Sequence, residues 1–161
     1  MMTPATLVQA RSEAEYASAR ALFVEYAEQL GVDLCFQGFA SELESLDTMY
    51  GPPSGCLILA RRGDDHVGCV GVRRFSPDDC EMKRLYLRND ARGSGLGLRL
   101  ARAAIDAART IGYKRMLLDT LDGMAAARAV YRGLGFKQIA AYYGNPLQNV
   151  VYMALEIRKA G

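Results

Sequence analysis

The chain has 161 residues, half of them hydrophobic and 24% charged, the make-up of one folded globular domain spanning 1–161 rather than of a disordered or low-complexity chain. Twenty Lys and Arg against 18 Asp and Glu leave a net charge of +2, too small for a dedicated nucleic-acid or membrane-surface binder, and no apolar run approaches the length of a membrane span. The N-terminus MMTPATLVQARSEAEY has no signal-like pattern, and Cys35, Cys56, Cys69 and Cys80 form no CxxC pair, so the expectation is a cytoplasmic protein without disulfides or a zinc site.

Leu7 to Ala10 reads as a short strand. Ser12 with Glu15 has the form of a capping box, and Ala19, Leu22, Phe23, Tyr26, Ala27 and Leu30 follow at helical spacing until Gly31, which predicts a long first helix. A shorter second helix is expected over Phe39 to Leu46, before the turn-forming GPPSG. Cys56 to Ala60 and Val67 to Phe75 read as a hairpin closed by RRGDDH, which holds His66, the only histidine. A lone histidine in a turn argues against Ser-His-Asp or Cys-His catalysis and multi-histidine metal sites.

The next strand is CEMKRLYL, Cys80 to Leu87. Strict alternation puts Glu81, Lys83, Leu85 and Leu87 on one face and Cys80, Met82, Arg84 and Tyr86 on the other. A glycine-containing loop then enters an amphipathic helix that Gly112 stops, and KRMLLDT, Lys114 to Thr120, follows as a buried strand parallel to CEMKRLYL. Met124, Ala127, Tyr131 and Leu134 mark a last helix ending at Gly135, and FKQIAAYY and NVVYMALEI close the chain as two strands around GNPLQ. The fold class is α/β, with antiparallel strands first, a parallel β-α-β unit in the middle and a hairpin last.

The loop Arg92-Gly93-Ser94-Gly95-Leu96-Gly97 lies between a strand and a helix, where free backbone N–H groups and the positive end of the helix dipole hold a phosphate. Side chains in place of the glycines would block that approach. A Rossmann site would use the first strand and an acidic residue at the end of the next, and a P-loop would need Gly-Lys followed by Ser or Thr; neither pattern is present. Tyr131 reads from its spacing either as a core aromatic or as a positioned acid.

RGSGLG, the preceding KRLYL and the later ARAVYRGLGF resemble, in order and separation, the R/Q-x-x-G-x-G/A loop, the "LYV" strand and the "AxxLYxxxGF" segment of the GNAT superfamily of acetyl-CoA-dependent N-acetyltransferases. The resemblance runs from about Leu7 to Ile157, and CFQGF, CEMKRLYL, LDTLDGM and YYGNP are similar to a large bacterial subgroup of unassigned substrate. It implies a GNAT-like fold whose two central parallel strands splay. It also implies that the amides of Gly93, Ser94, Gly95, Leu96 and Gly97, with Arg92, bind the CoA pyrophosphate. The main chain of Leu85, Tyr86 and Leu87 then pairs with the pantetheine amides, and Tyr131 protonates the departing thiolate.

Glu81 stands where some members of that superfamily carry a catalytic glutamate, and reads either as a general base or as a structural or positioning residue whose basicity an ion pair with Lys83 would weaken. Met124 replaces an asparagine frequent in the family, so Asp119 and Thr120 either supply a cofactor contact there or cap the following helix. Arg73, Tyr142, Tyr143 and Asn145 are the substrate-side candidates. Arg73 reads as the partner of an acceptor carboxylate or as a solvated charge, and the tyrosines as recognition or rim packing. The implied reaction is acetyl transfer from acetyl-CoA to the primary amine of a small molecule, such as an amino acid or related small acid, with no metal, no acyl-enzyme and no role for Cys80 as a nucleophile. Acetylation of a peptide, and acyl-CoA binding without turnover, are the other readings. A homodimer through the final strands is compatible with the resemblance.

Overall fold

The computed structural model describes residues 4–31, 38–145, 147 and 149–157. In chain order its elements are β1 (Thr6–Gln9), α1 (Glu13–Leu30), α2 (Phe39–Glu44), α3 (Leu46–Met49), β2 (Cys56–Arg62), β3 (Asp65–Arg74), β4 (Asp79–Leu87), α4 (Leu96–Ile111), β5 (Arg115–Leu121), α5 (Ala125–Gly133), β6 (Lys137–Ile139) and β7 (Val150–Glu156). The seven strands form one sheet in the order β1-β2-β3-β4-β5-β7-β6. Only β4 and β5 are parallel, joined through α4 as the β-α-β unit requires. This is the mixed α/β architecture that the sequence pattern predicts.

The start of α1 follows from its first four residues. Ser12 Oγ accepts the Glu15 N–H at 3.1 Å while Glu15 Oε1 accepts the Ser12 N–H at 3.0 Å, so two otherwise orphaned donors are satisfied reciprocally. Gly31, at φ 69, ends the helix in the left-handed conformation that glycine adopts without strain. The single helix expected over Phe39 to Leu46 is instead two short ones, because Ser45 at φ −128 interrupts it.

Alternation along β2 sends Cys56, Ile58 and Ala60 to one face of the sheet and Leu57 and Leu59 to the other. On the first face α4 buries Leu96, Leu100, Ala101, Ala104 and Ile105; on the second α1 and α3 bury Leu22, Phe23 and Leu46. Each fully buried leucine or phenylalanine contributes roughly 1.5–3 kcal/mol, so the sheet is clamped from both sides.

Strand β4 breaks the alternation expected of it. Gly71 pairs with Lys83 and Cys69 with Tyr86, so Arg84 and Leu85 together oppose the single residue Val70. Arg84 has φ 60, the left-handed region, and the extra residue resets the faces: Cys80, Met82, Leu85 and Leu87 all turn to the α4 side, while Tyr86 packs on the α1 side. Glu81 and Lys83 therefore share a face with each other but not with Leu85 and Leu87, correcting the sequence expectation.

Such a conformation costs a non-glycine residue roughly 1–2 kcal/mol. The Arg84 side chain is anchored in compensation: Nε and Nη2 donate to the two Glu42 oxygens at 3.0 and 2.8 Å, and the Tyr50 hydroxyl gives Glu42 a third hydrogen bond at 3.0 Å. Both charged side chains are almost fully buried, so α2 is pinned to β4 by an ion pair with its hydrogen bonds well satisfied.

The ladder between β4 and β5 holds only from Asp79 to Glu81 on one strand and from Arg115 to Leu117 on the other. Beyond Glu81 the strands part, while β5 stays paired with β7 from Arg115 to Leu121. Strand β6 is shorter than FKQIAAYY suggests and stops at Ile139, which releases Tyr142 and Tyr143 from the sheet. Among the described residues, no helix is long and apolar enough to cross a membrane.

Candidate active site

At the downstream end of β4 the chain enters the glycine loop. Gly93 and Gly95 sit at φ 82 and 77, and a Cβ built on either meets nothing within 4 Å, so the surface of the loop is open. Gly95 is the N-cap of α4 and no side chain caps it, which leaves first-turn N–H groups and the positive end of a 16-residue helix directed at the opening. Such a loop holds a phosphate with main chain alone.

The neighbouring side chains brace it. Arg92 donates from Nε to the Leu87 carbonyl at 3.0 Å and from Nη2 to Gln29 at 2.7 Å, tying the loop to β4 and α1. Ser94 donates to the Ala91 carbonyl at 2.9 Å, and Leu96, the first residue of α4, is buried.

Between the parted strands lies a narrow cleft of about 40 Å³, lined by Met82, Lys83, Leu85, Asp119, Thr120 and Tyr131 among others. Tyr131 is 7% exposed and edge-on to Phe136 at 5.7 Å. Burial above all, with Tyr26 and Asp119 adding to it, pushes its phenol well above the ordinary tyrosine value, so it is protonated at neutral pH and available as a donor. Thr120 directs its hydroxyl at the Met124 sulfur at 3.6 Å, and the N-cap of α5 is Met124, with no side-chain cap from Asp119 or Thr120.

A second cavity of about 510 Å³ has Ser54, Arg73, Arg74, Glu81, Lys83 and Tyr143 in its wall. Glu81 is 3% exposed and engaged through both oxygens: Arg73 Nε and Nη2 each lie 3.0 Å from Oε1, and the Tyr142 hydroxyl donates to Oε2 at 2.8 Å. Arg73, half-buried, occupies the place expected for Lys83 as the partner of Glu81. Lys83 lies instead 3.6 Å from Asp119, which also accepts the Tyr143 hydroxyl at 2.5 Å, while Asn145 donates to that same hydroxyl at 2.9 Å.

Tyr142 packs edge-on against Phe75 and Tyr152 and tilted against Tyr143, with centroids 5.1 to 5.4 Å apart. Burial, aided by the adjacent carboxylates, raises both tyrosines far above their ordinary value, and burial lowers Lys83 against the opposing pull of Asp119.

The structure thus gathers Arg73, Tyr142, Tyr143 and Asn145 around one site and anchors them on two protein carboxylates. Asp119 as the seat of Tyr143, Lys83 as a cavity wall, and the Glu42–Arg84 clamp are not evident from sequence spacing. One signal was present: Glu81, Lys83 and Arg84 crowd a strand covered on both faces, and buried charges require partners. Cys56, Cys69 and Cys80 are buried free thiols, and burial pushes Cys80 up to about 12, which makes it a poor nucleophile. Cys35 lies outside the described residues.

A glycine loop with open space over its main chain starts the crossover helix, and the two parallel strands part beside it. Residues 19–136 match the model of the acetyltransferase (GNAT) family, and the chain belongs to that family. It is 45% identical over 142 residues to an uncharacterized N-acetyltransferase of Schizosaccharomyces pombe, covering 86% of each chain. A relative this similar in a yeast does not support the restriction to a bacterial subgroup that the motifs suggested. Among solved structures, a GNAT-family acetyltransferase of Staphylococcus aureus superposes with TM-score 0.80 at 16% identity, over 96% of this chain and all of the other. The yncA protein of Salmonella typhimurium, solved with its cofactor acetyl-CoA, superposes with TM-score 0.68 at 17% identity, over 99% and 97% of the two chains.

Proposed function

We propose that this chain is a single-domain acetyl-CoA-dependent N-acetyltransferase whose acceptor is a small amine carrying a carboxylate, such as an amino acid. The observation that carries the acceptor class is the wall of the larger cavity, where Glu81 and Asp119 face Arg73 and Lys83 and Arg74 adds a further positive charge. A cationic surplus in a cavity of about 510 Å³ favours an anionic small molecule over a polyamine.

The donor side fits acetyl-CoA, because Gly93 and Gly95 leave open space over uncapped amides and the β4 edge beyond Glu81 has no β5 ladder. The amides of Gly93 to Gly97, braced by Arg92, would hold the pyrophosphate, and the main chain of Leu85 to Leu87 the pantetheine. When bound, acetyl-CoA supplies an activated acetyl thioester. An alkylamine with a pKa near 10.4 is almost wholly protonated at pH 7, so it must lose a proton before it attacks. Glu81, directly or through water, takes that proton, and Tyr131 returns one to sulfur as the thiolate leaves.

The test is CoA thiol release from acetyl-CoA across free amino acids, their carboxamides, polyamines, aminoglycosides and short peptides, with calorimetric titration of CoA alongside. Turnover on one group of amino acids, at least tenfold slower on their carboxamides, is the expected result. Preference for polyamines or peptides overturns the acceptor class. CoA binding without turnover on any amine makes the protein a binding module, and no CoA binding overturns the reading.

A further inference from the structure

Of the described residues, only Lys83 lines both cavities. In the larger one it stands with Glu81 and Arg73; in the cleft between β4 and β5 it stands with Asp119, Thr120 and Tyr131. An acetyl group held in the cleft and an amine held in the larger cavity must meet at the wall between them, and its polar group is an ammonium on a side chain only 5% exposed. Asp119, 3.6 Å from the Lys83 ammonium, helps to fix the position of that charge.

Resting on the acetyl-CoA reading above, we propose that Lys83 is a catalytic residue whose ammonium donates a hydrogen bond to the thioester carbonyl oxygen and stabilises the negative charge that collects there. As the amine nitrogen bonds to the carbonyl carbon, the C=O π pair moves onto oxygen and the amine proton leaves to Glu81 or water. The oxygen pair then re-forms C=O, the C–S bond breaks with its electrons on sulfur, and Tyr131 protonates the thiolate. Lys83 transfers no proton; it has only to stay charged. A cation already fixed in a water-poor wall needs no reorganisation when the charge appears, and removal of one such donor typically slows turnover by about 10²–10³.

A pH signature distinguishes this role from packing. Asp119 on β5 and Glu81 on β4 favour the charged lysine, whereas Arg84 on β4, Arg73 on β3 and above all burial disfavour it. Tyr26 on α1, Tyr131 on α5 and Tyr143 after β6 are held neutral by burial. The balance places Lys83 below the ordinary 10.5, so turnover fails on the alkaline side before a free lysine would discharge.

The experiment titrates wild type, Lys83→Met and Lys83→Arg with CoA and with acetyl-CoA by calorimetry, and records the pH profile of thiol release with the acceptor that the amine panel selects. The expected result is CoA affinity within about threefold in all three proteins, a preference for acetyl-CoA over CoA that Lys83→Met abolishes, and kcat reduced about 10²–10³-fold in Lys83→Met with acceptor KM within a few-fold. Lys83→Arg should restore part of kcat and move the alkaline limb to higher pH, since arginine stays charged. Unaltered acetyl-CoA preference in Lys83→Met, kcat within tenfold of wild type, or equal loss of CoA and acetyl-CoA binding overturns the role of Lys83. Failure of the wild type to bind CoA overturns the acetyl-CoA reading instead. Should Lys83→Met not fold, an alkaline limb unchanged in Lys83→Arg overturns the proposal by itself.

Discussion

The two ends of β4 are made of different materials. Upstream of Arg84 the strand presents charged side chains, Glu81 and Lys83, each buried and each answered from β3, β5 or the segment after β6. Downstream it leads through main chain into glycines whose left-handed turns leave open space. Main-chain amides suit a ligand part that never varies, a pyrophosphate or an amide, whereas a side-chain cluster suits a part that must be selected among many. The comparison teaches that one strand can offer main chain in one half and paired charge in the other.

The largest effect is expected at the boundary between the halves. Glu42→Ala leaves Arg84 charged and buried without its partner, which costs about 3–5 kcal/mol. At roughly 2–4 °C per kcal/mol for a domain of this size, the melting temperature should fall by about 6–20 °C; an unchanged melt would show that the bulge does not depend on this pair. Burial opposes ionisation of Glu42, but the Arg84 hydrogen bonds and charge, with the Tyr50 hydroxyl, outweigh it and hold the carboxyl below its ordinary 4.5. A depressed carboxyl stabilises the fold above its unfolded value, so this contribution should be present above pH 4.5 and lost as pH falls through the folded-state value. Glu42→Gln should flatten that acid limb in a series of melts.

Next comes Tyr131→Phe, which, if Tyr131 carries the proposed proton for sulfur, should cut turnover by about 10² or more while CoA affinity stays within a few-fold. Equal loss of both would make Tyr131 a packing residue. Gly95→Ala puts a side chain at φ 77 and should weaken CoA binding about tenfold, with strain of roughly 1–2 kcal/mol and an unchanged acceptor KM. The smallest change is Tyr143→Phe, which deletes the hydroxyl on Asp119 and should raise acceptor KM several-fold without moving that of acetyl-CoA. A shift confined to acetyl-CoA would erase the division between the halves.

Legibility follows the same boundary. The Ser12–Glu15 cap, the strand–glycine–helix order and the parallel pairing of β4 with β5 are local or periodic signals, readable from a few adjacent residues. The bulge is not: CEMKRLYL alternates cleanly on paper, and only the register against Val70 shows that two residues share one position. The expected helix over Phe39 to Leu46 breaks at Ser45, and a β6 of three residues could not be foreseen from apolar FKQIAAYY. At the site, Glu81 and Tyr131 were visible through the family resemblance, but the pairing of Glu81 with Tyr142 joins residues 61 positions apart, and no spacing rule reaches that far. The carboxylates of Glu81 and Asp119 select their partners in three dimensions.

Arg84 has one further consequence, for how such a protein diverges. A strand carries changes of facing along its whole length, so a one-residue insertion or deletion upstream of an uninterrupted β4 would turn Leu85 and Leu87 out of the core. The extra residue at Arg84 acts as an expansion joint with its own anchor in α2. Residues around Glu81 and Lys83 can then vary while Leu85 and Leu87 keep their register in the core.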